Sequence, residues 1–206
     1  MPVSTESLKR SVGSQPAMTD DFCSSPLLPK RCFLTKGVGK SKEKLTSFEL
    51  ALRNAGIAEY NLVRVSSIFP PQCRMLSRQE GEKHLTPGQV LFVVMSENAS
   101  NEPNRQLAAS VGVALPKDKG RYGYLSEHHS FGMTERACGE YAEDLAAQML
   151  ASTLGIEFDS DASYNEKKEI WKIDGRIYTT RAVTQSAKVD KNGLWTTVIA
   201  AAVLIV

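Results

Sequence analysis

Hydrophobic and polar positions follow two rhythms along this chain, one of period two and one of period 3.6. In "YNLVRVSSIFPP", Leu62 and Arg64 alternate with Val63 and Val65, the pattern of a strand. Pro70 and Pro71 end it, because neither can donate to a sheet ladder. "GQVLFVVMSEN" and "RQLAASVGVALP" are almost unbroken apolar runs and predict strands buried on both faces, the second stopped by Pro116. "KDKGRYG" reads as a turn, and "YGYLSEHHSFG" as a short strand ending in Glu127, His128 and His129. Two strands close the chain: "WKIDGRIYTTRAVTQSAKV", with a turn at Asp174-Gly175, and "LWTTVIAAAVLIV". Near the start, "RCFLTKGVG" predicts a short strand running into a glycine-punctuated loop.

Two segments keep helical spacing. In "KLTSFELALRNAG", Thr46 followed by Glu49 has the form of a capping box. Leu45 and Leu50 are spaced as a hydrophobic staple, and Gly56 closes the helix. The longer helix runs from Thr134, a capping residue, to about Leu154, with Gly155 beyond it. Its predicted apolar stripe is Cys138, Tyr141, Leu145 and Met149 together with Ala142, Ala146 and Leu150, which leaves Glu140, Glu143 and Asp144 on a solvated face.

Strands outnumber helices and do not alternate with them, which argues for α+β layers in a single domain. Residues 1–30, rich in Ser, Pro, Thr and charge, read as a disordered leader before a domain spanning 31–206. Formal net charge is +2 with both signs interspersed, so nothing points to nucleic acid or an anionic membrane. The longest apolar run, "TTVIAAAVLIV", is too short to span a bilayer. Cys23, Cys32, Cys73 and Cys138 lack metal-ligand spacing and read as reduced thiols. With no signal-peptide pattern at the N-terminus, a cytoplasmic protein is expected.

Familiar catalytic signals are missing. The chain has no GxGxxG, P-loop, HExxH or GxSxG. His128 and His129 are adjacent, so on a strand they face opposite ways and do not share a metal; no metal site is expected. What remains is a pair of serines, Ser66 and Ser67, at the end of a strand and in front of two stiff prolines.

The context of that pair carries a resemblance. "FELALRNAGI", "YNLVRVSSIFPP", "AASVGVALPKDKGRYGYLSEHH" and "GEYAEDLAAQMLASTLG", taken in order, resemble the pyruvoyl-dependent arginine decarboxylases from about Phe33 to Val206. The resemblance implies a layered αββα sandwich and a proenzyme. Attack by the Ser67 hydroxyl on the Ser66 carbonyl carbon would turn that amide into an ester. β-Elimination would then leave a β chain of residues 1–66 and an α chain of 67–206 headed by a pyruvoyl group made from Ser67. Serine suits both steps, since its hydroxyl serves first as nucleophile and then as leaving group. The attacked bond would have to be held bent and away from water. The ketone would form a Schiff base with the substrate α-amine and accept the electron pair released as CO2 departs, with neither pyridoxal phosphate nor metal.

Residue by residue, the resemblance implies that Glu127 protonates the α-carbon after CO2 loss, with a raised pKa supplied by burial. It implies that Asn61 assists processing or orients the intermediate. Glu49 aligns with an acidic position that meets the substrate guanidinium, although a capping box would also account for a glutamate there. The implied reaction is L-arginine to agmatine and CO2, a step toward polyamines, in a homotrimer with active sites between neighbouring subunits. Two rivals stay open here: the same chemistry on another amino acid such as histidine, and an uncleaved homologue without activity.

Overall fold

A computed structural model describes residues 27–156 and 177–206. The expected leader falls mostly on residues 1–26, and the turn expected at Asp174-Gly175 on 157–176; both lie outside the described residues. The described elements run β1 (Arg31–Ser41), α1 (Lys44–Ala55), β2 (Asn61–Arg64), β3 (Ile68–Phe69), β4 (Arg74–Leu76), α2 (Arg78–Glu82), β5 (Val90–Ser100), β6 (Gln106–Pro116), β7 (Gly123–Phe131), α3 (Glu135–Leu154), β8 (Ile177–Lys188) and β9 (Trp195–Ile205). They form two sheets, ordered β2-β5-β9-β1-β4 and β3-β7-β6-β8.

The layers follow from which side chains each strand turns inward. β9 lies at the centre of the larger sheet, antiparallel to β5 and β1, and its residues from Thr196 onward are buried. Its Ile199, Ala201 and Val203 meet α1 on the outer face, with Phe33 and Ile57. Its Ala200, Ala202 and Leu204 meet the second sheet through Val111, Val113 and Leu125. On the far side of that sheet, α3 packs Ala146, Ala147 and Leu150 against Ala114 and Ile177. Helix, sheet, sheet, helix: the α+β layers expected from the strand count are present, in the αββα sandwich that the resemblance implied. Fully burying one side chain such as Phe33 contributes roughly 1.5–3 kcal/mol, so these apolar layers carry most of the stability.

Four expectations are corrected. β1 does not dissolve into a glycine loop; it continues through Gly37 and Gly39, where a Cβ would overlap the Ala51 and Ser47 carbonyl oxygens of α1. Those glycines let the helix lie directly on the strand. α1 begins two residues before Thr46, at Lys44, with Glu43 at its N-cap and no side-chain cap, so the capping box and staple are absent and Leu45 is exposed. A true capping box stands on α2, where Ser77 and Glu80 bond reciprocally. On α3, Thr134 caps and Gly155 closes as expected, but the buried face is the small-residue one. Gly139 and Ala147 lie inside while Tyr141 is 46% exposed. Glu143, expected in solvent, is buried and accepts a hydrogen bond from Thr180 Oγ1 at 2.5 Å.

The fourth correction concerns the serines themselves. Asn61 to Phe69 is not one strand but two, β2 and β3, belonging to different sheets. Each is an edge strand, and the chain crosses between the sheets at Ser66-Ser67.

Candidate active site

The crossing is held by backbone bonds and two apolar plugs. β2 runs parallel to β5, and its last ladder bond is Val65 N–H to the Val93 carbonyl, 3.0 Å. Beyond the serines, β3 pairs antiparallel with β7, and the Ser67 carbonyl accepts from Leu125 N–H at 2.8 Å. Val65 and Phe69, on either side, both pack into the layer between the sheets. Between those plugs the backbone bends sharply, because Ile68 N–H donates to the Ser66 carbonyl at 2.9 Å, a three-residue turn centred on Ser67.

Glu127 reaches this crossing from β7. In a continuing parallel ladder the next amide of β5 on that edge, Met95 N–H, would donate to the departing strand. It donates instead to Glu127 Oε1 at 2.9 Å. The carboxylate thus takes the acceptor position vacated where β2 leaves the sheet, next to the Ser66-Ser67 linkage. Two further bonds lace β5 to β7 along the same seam: Ser96 Oγ donates to the His128 carbonyl and Asn98 Nδ2 to the Ser130 carbonyl.

The neighbouring histidines face opposite ways, as strand alternation requires. His128 turns toward α3 and packs on Tyr141, with ring centroids 4.3 Å apart, while His129 is exposed. Burial, and then the charge of His129, lowers the His128 pKa below its usual 6.5. Among the described residues no group of His, Cys, Asp and Glu is arranged to hold a metal ion.

Asn61 and Glu49 lie elsewhere. Asn61 opens β2, and four residues at about 3.3 Å each put it about 13 Å from Val65, before the serines are reached. Its side-chain amide donates to the Gly88 carbonyl at 2.7 Å. Glu49 sits on the exposed side of α1 and pairs with Arg53 at 2.5 Å. The two belong to one end of the molecule, where a cavity of about 720 Å³ is lined by Glu49, Arg53, Glu59, Tyr60 and Glu82. Burial first, and then the negative Glu59 and Glu82, push the Tyr60 phenol pKa up. Glu82 pairs with Arg78 at 2.6 Å as Glu49 does with Arg53, so the three carboxylates leave the cavity negative by the charge of Glu59, which suits a cation. Glu59 and Glu82 carried no motif in the sequence, since a loop and α2 bring them to α1 only in the fold. The Ser77-Glu80 box that starts α2 was legible as S-x-x-E.

Two expected properties are absent from the single chain. Ser66 and Glu127 are both exposed, so neither the linkage nor the carboxylate is withdrawn from water by the chain itself. The β2–β3 edge leading to them is apolar as well as open, with Val63 41% and Ile68 40% exposed, and Val90, opposite Asn61 at the far end, is 58% exposed. Cys32, Cys73 and Cys138 are free thiols, and burial pushes the Cys73 pKa up to about 12.

Comparison with known proteins bears directly on this geometry. Residues 31–206 match the family model described as pyruvoyl-dependent arginine decarboxylase. A protein of Chloroherpeton thalassium named probable pyruvoyl-dependent arginine decarboxylase is 60% identical over 178 residues, covering 86% of this chain and 98% of that protein. The pyruvoyl-dependent arginine decarboxylase of Nitrosopumilus maritimus is 58% identical over 87% of this chain and 98% of its own length. That of Methanococcoides burtonii is 54% identical over 87% and 99%.

Proposed function

This chain belongs to the pyruvoyl-dependent arginine decarboxylase family, and from that premise we propose that it cleaves itself at Ser66-Ser67 and converts L-arginine to agmatine and CO2. The observation that carries the proposal is the crossing. The two serines stand where the chain changes sheets, in a turn pinned on both sides, with a carboxylate held beside them.

The self-processing follows from the residues present. Ser67 Oγ adds to the Ser66 carbonyl carbon, and collapse breaks the C–N bond, so residue 66 becomes an ester on the Ser67 side chain. Loss of the Ser67 α-proton then expels the Ser66 carboxylate and leaves a dehydroalanine, whose imine tautomer is hydrolysed by water to the ketone and ammonia. The α chain would begin at position 67, with the carbonyl of that residue anchored by Leu125 N–H at the head of β3. This fits a group that must be presented at a fixed angle. When formed, the pyruvoyl group supplies a ketone that takes up the substrate amine and draws off the electron pair left by CO2.

Glu127 is the proton donor in this reading. Its Oε1 is fixed by Met95 N–H, which leaves the other oxygen to deliver a proton to the substrate α-carbon. Glu49, with Glu59 and Glu82, would take the guanidinium, and Asn61 would align the reacting end of the substrate. Arginine, whose side chain ends in a fixed cationic fork, suits an acidic cavity better than histidine does.

One chain holds these groups at opposite ends of β2, too far apart for one amino acid. The reading therefore requires an oligomer, a homotrimer on family grounds, in which the Glu49–Asn61 end of one subunit meets the Ser67–Glu127 end of the next. The exposed Val63, Ile68 and Val90 would be covered there, and water excluded from the linkage. Free thiols suit a reducing cytoplasm. Among the described residues no helix is long and apolar enough to cross a membrane.

The test combines intact mass, denaturing electrophoresis and CO2 release from L-arginine. Two chains divided after Ser66, a keto group reactive toward hydrazine, and agmatine formation are expected. Correctly assembled protein that stays a single polypeptide without a keto group overturns the proposal. The oligomer has its own test: Ser67→Ala, which is inactive, and Glu49→Gln, which turns over only at high arginine, are unfolded, mixed, refolded and assayed at an arginine concentration where neither variant alone is active. Return of part of the activity is expected, and its absence places both residues in one subunit.

A further inference from the structure

In the proposed self-cleavage the developing charge falls on one atom, the Ser66 carbonyl oxygen. Addition of Ser67 Oγ forms a C–O bond and moves the carbonyl electron pair onto that oxygen. The Ser67 hydroxyl proton ends on the Ser67 nitrogen as the C–N bond breaks. Whatever donates a hydrogen bond to the oxygen at that moment lowers the barrier. The donor is already in place: Ile68 N–H, 2.9 Å from the Ser66 oxygen.

We infer that the backbone amide of Ile68 is the oxyanion donor of self-processing, an inference that rests on the function proposed above. Three features support it. The donor and the nucleophile lie on consecutive residues, so the turn that bends Ser67 toward the carbonyl also aims the Ile68 amide at its oxygen. The turn is rigid, because Leu125 N–H holds the Ser67 carbonyl and Phe69 is sunk in the core. The amide is not consumed by the sheet: β3 is an edge strand, the Leu125 N–H bond to the Ser67 carbonyl makes Ile68–Tyr124 a non-hydrogen-bonded pair, and Ile68 N–H donates to the Ser66 carbonyl.

The arrangement divides labour between two amides. Ile68 N–H serves the acyl shift, and Leu125 N–H, on the Ser67 carbonyl, serves the elimination, when loss of the α-proton places charge on that second oxygen. After cleavage the first bond is lost with the departing Ser66, and the second remains.

Ile68→Pro removes the donor. In wild-type protein, chain cleavage is followed by electrophoresis, with hydroxylamine added to trap any ester. Ile68→Pro that is folded by circular dichroism is expected to process 10²–10³-fold more slowly, with no hydroxylamine-sensitive linkage, since the block precedes the ester. Processing within about threefold of wild type, or accumulation of the ester, overturns the inference while leaving the function proposed above intact. Failure of the wild type itself to cleave overturns both.

Proline also restricts Ser67, so the bond is measured directly in an uncleaved Ser67→Ala protein by nuclear magnetic resonance. A coupling across the hydrogen bond between the Ile68 nitrogen and the Ser66 carbonyl carbon is expected. Its absence, when the matching coupling from Leu125 to residue 67 is visible, removes the donor.

Discussion

The two ends of β2 solve different problems with different materials. At the Asn61 end, side chains from α1, α2 and a loop converge on an acidic cavity, and the backbone there is ordinary. At the Ser67 end the important contacts are made by the backbone: a ladder that stops at Val65, a turn closed by Ile68, a carbonyl caught by Leu125, and one carboxylate filling the gap. Recognition of a cation needs charge, which side chains supply. Breaking a peptide bond needs that bond held in an unusual shape, which only the chain path supplies. Four residues of strand keep the ends apart, so neither end compromises the other.

The largest expected effect separates the ends completely. Ser67→Ala should give a single uncleaved band and no agmatine, while the acidic cavity still binds arginine, measurable by calorimetry. A cavity that loses arginine in this variant breaks the comparison, because it would mean that the ends are one site within the chain.

Glu127→Gln comes next. Its amide oxygen can still accept from Met95 N–H, so the fold should hold, but it is a poor acid. Turnover after processing is expected to fall about 10²–10⁴-fold, with little change in KM, in steady-state assays. An unchanged kcat would remove Glu127 from the chemistry.

Glu49→Gln should act through binding. We expect KM for arginine to rise about tenfold to two-hundredfold, with processing and helix content intact, the size of one lost charged contact of roughly 1.5–3 kcal/mol. Here the structure clears the ground. With the capping box absent, no helix-start role competes for Glu49, and its pair with Arg53 is exposed and worth less than about 1 kcal/mol.

The smallest effect is a pH dependence confined to one end. His128 has a lowered pKa in the folded protein, so the unfolded chain takes up its proton more readily. Stability linked to His128 is therefore present above its unfolded value of 6.5 and declines as pH falls through the lower, folded value. Amides of β7 should exchange a few-fold faster, relative to those of α1, as pH drops from 7 to 5, and His128→Gln should flatten the difference. Equal acceleration at both ends would show that the two are not independently held.

How much of this was legible in the chain depends on the distance over which each feature is decided. Apolar runs bounded by turn residues located β5, β6 and β9, and the KDKGRYG turn located the start of β7. Thr134 and Gly155 bounded α3, since those signals act within a turn or a strand. The α3 stripe was half wrong because both faces carry apolar residues, and the sheet beneath it accepts small ones at close range. Glu143 was misread for the same reason, as its partner Thr180 lies on β8. The Ser66-Ser67 pair, Glu127, Asn61 and Glu49 were all picked out, but on a line of text they form one group.

The residue types, their order and the adjacent hydroxyls of Ser66 and Ser67 belong to the sequence, because they are covalent facts. The turn at Ser67, the capture of Glu127 by Met95, the acidic cavity and the separation of the two ends were decided by tertiary structure. Each depends on which sheet a strand joins, and that choice is made by burial of Val65 and Phe69 against strands distant along the chain, a balance no local window contains.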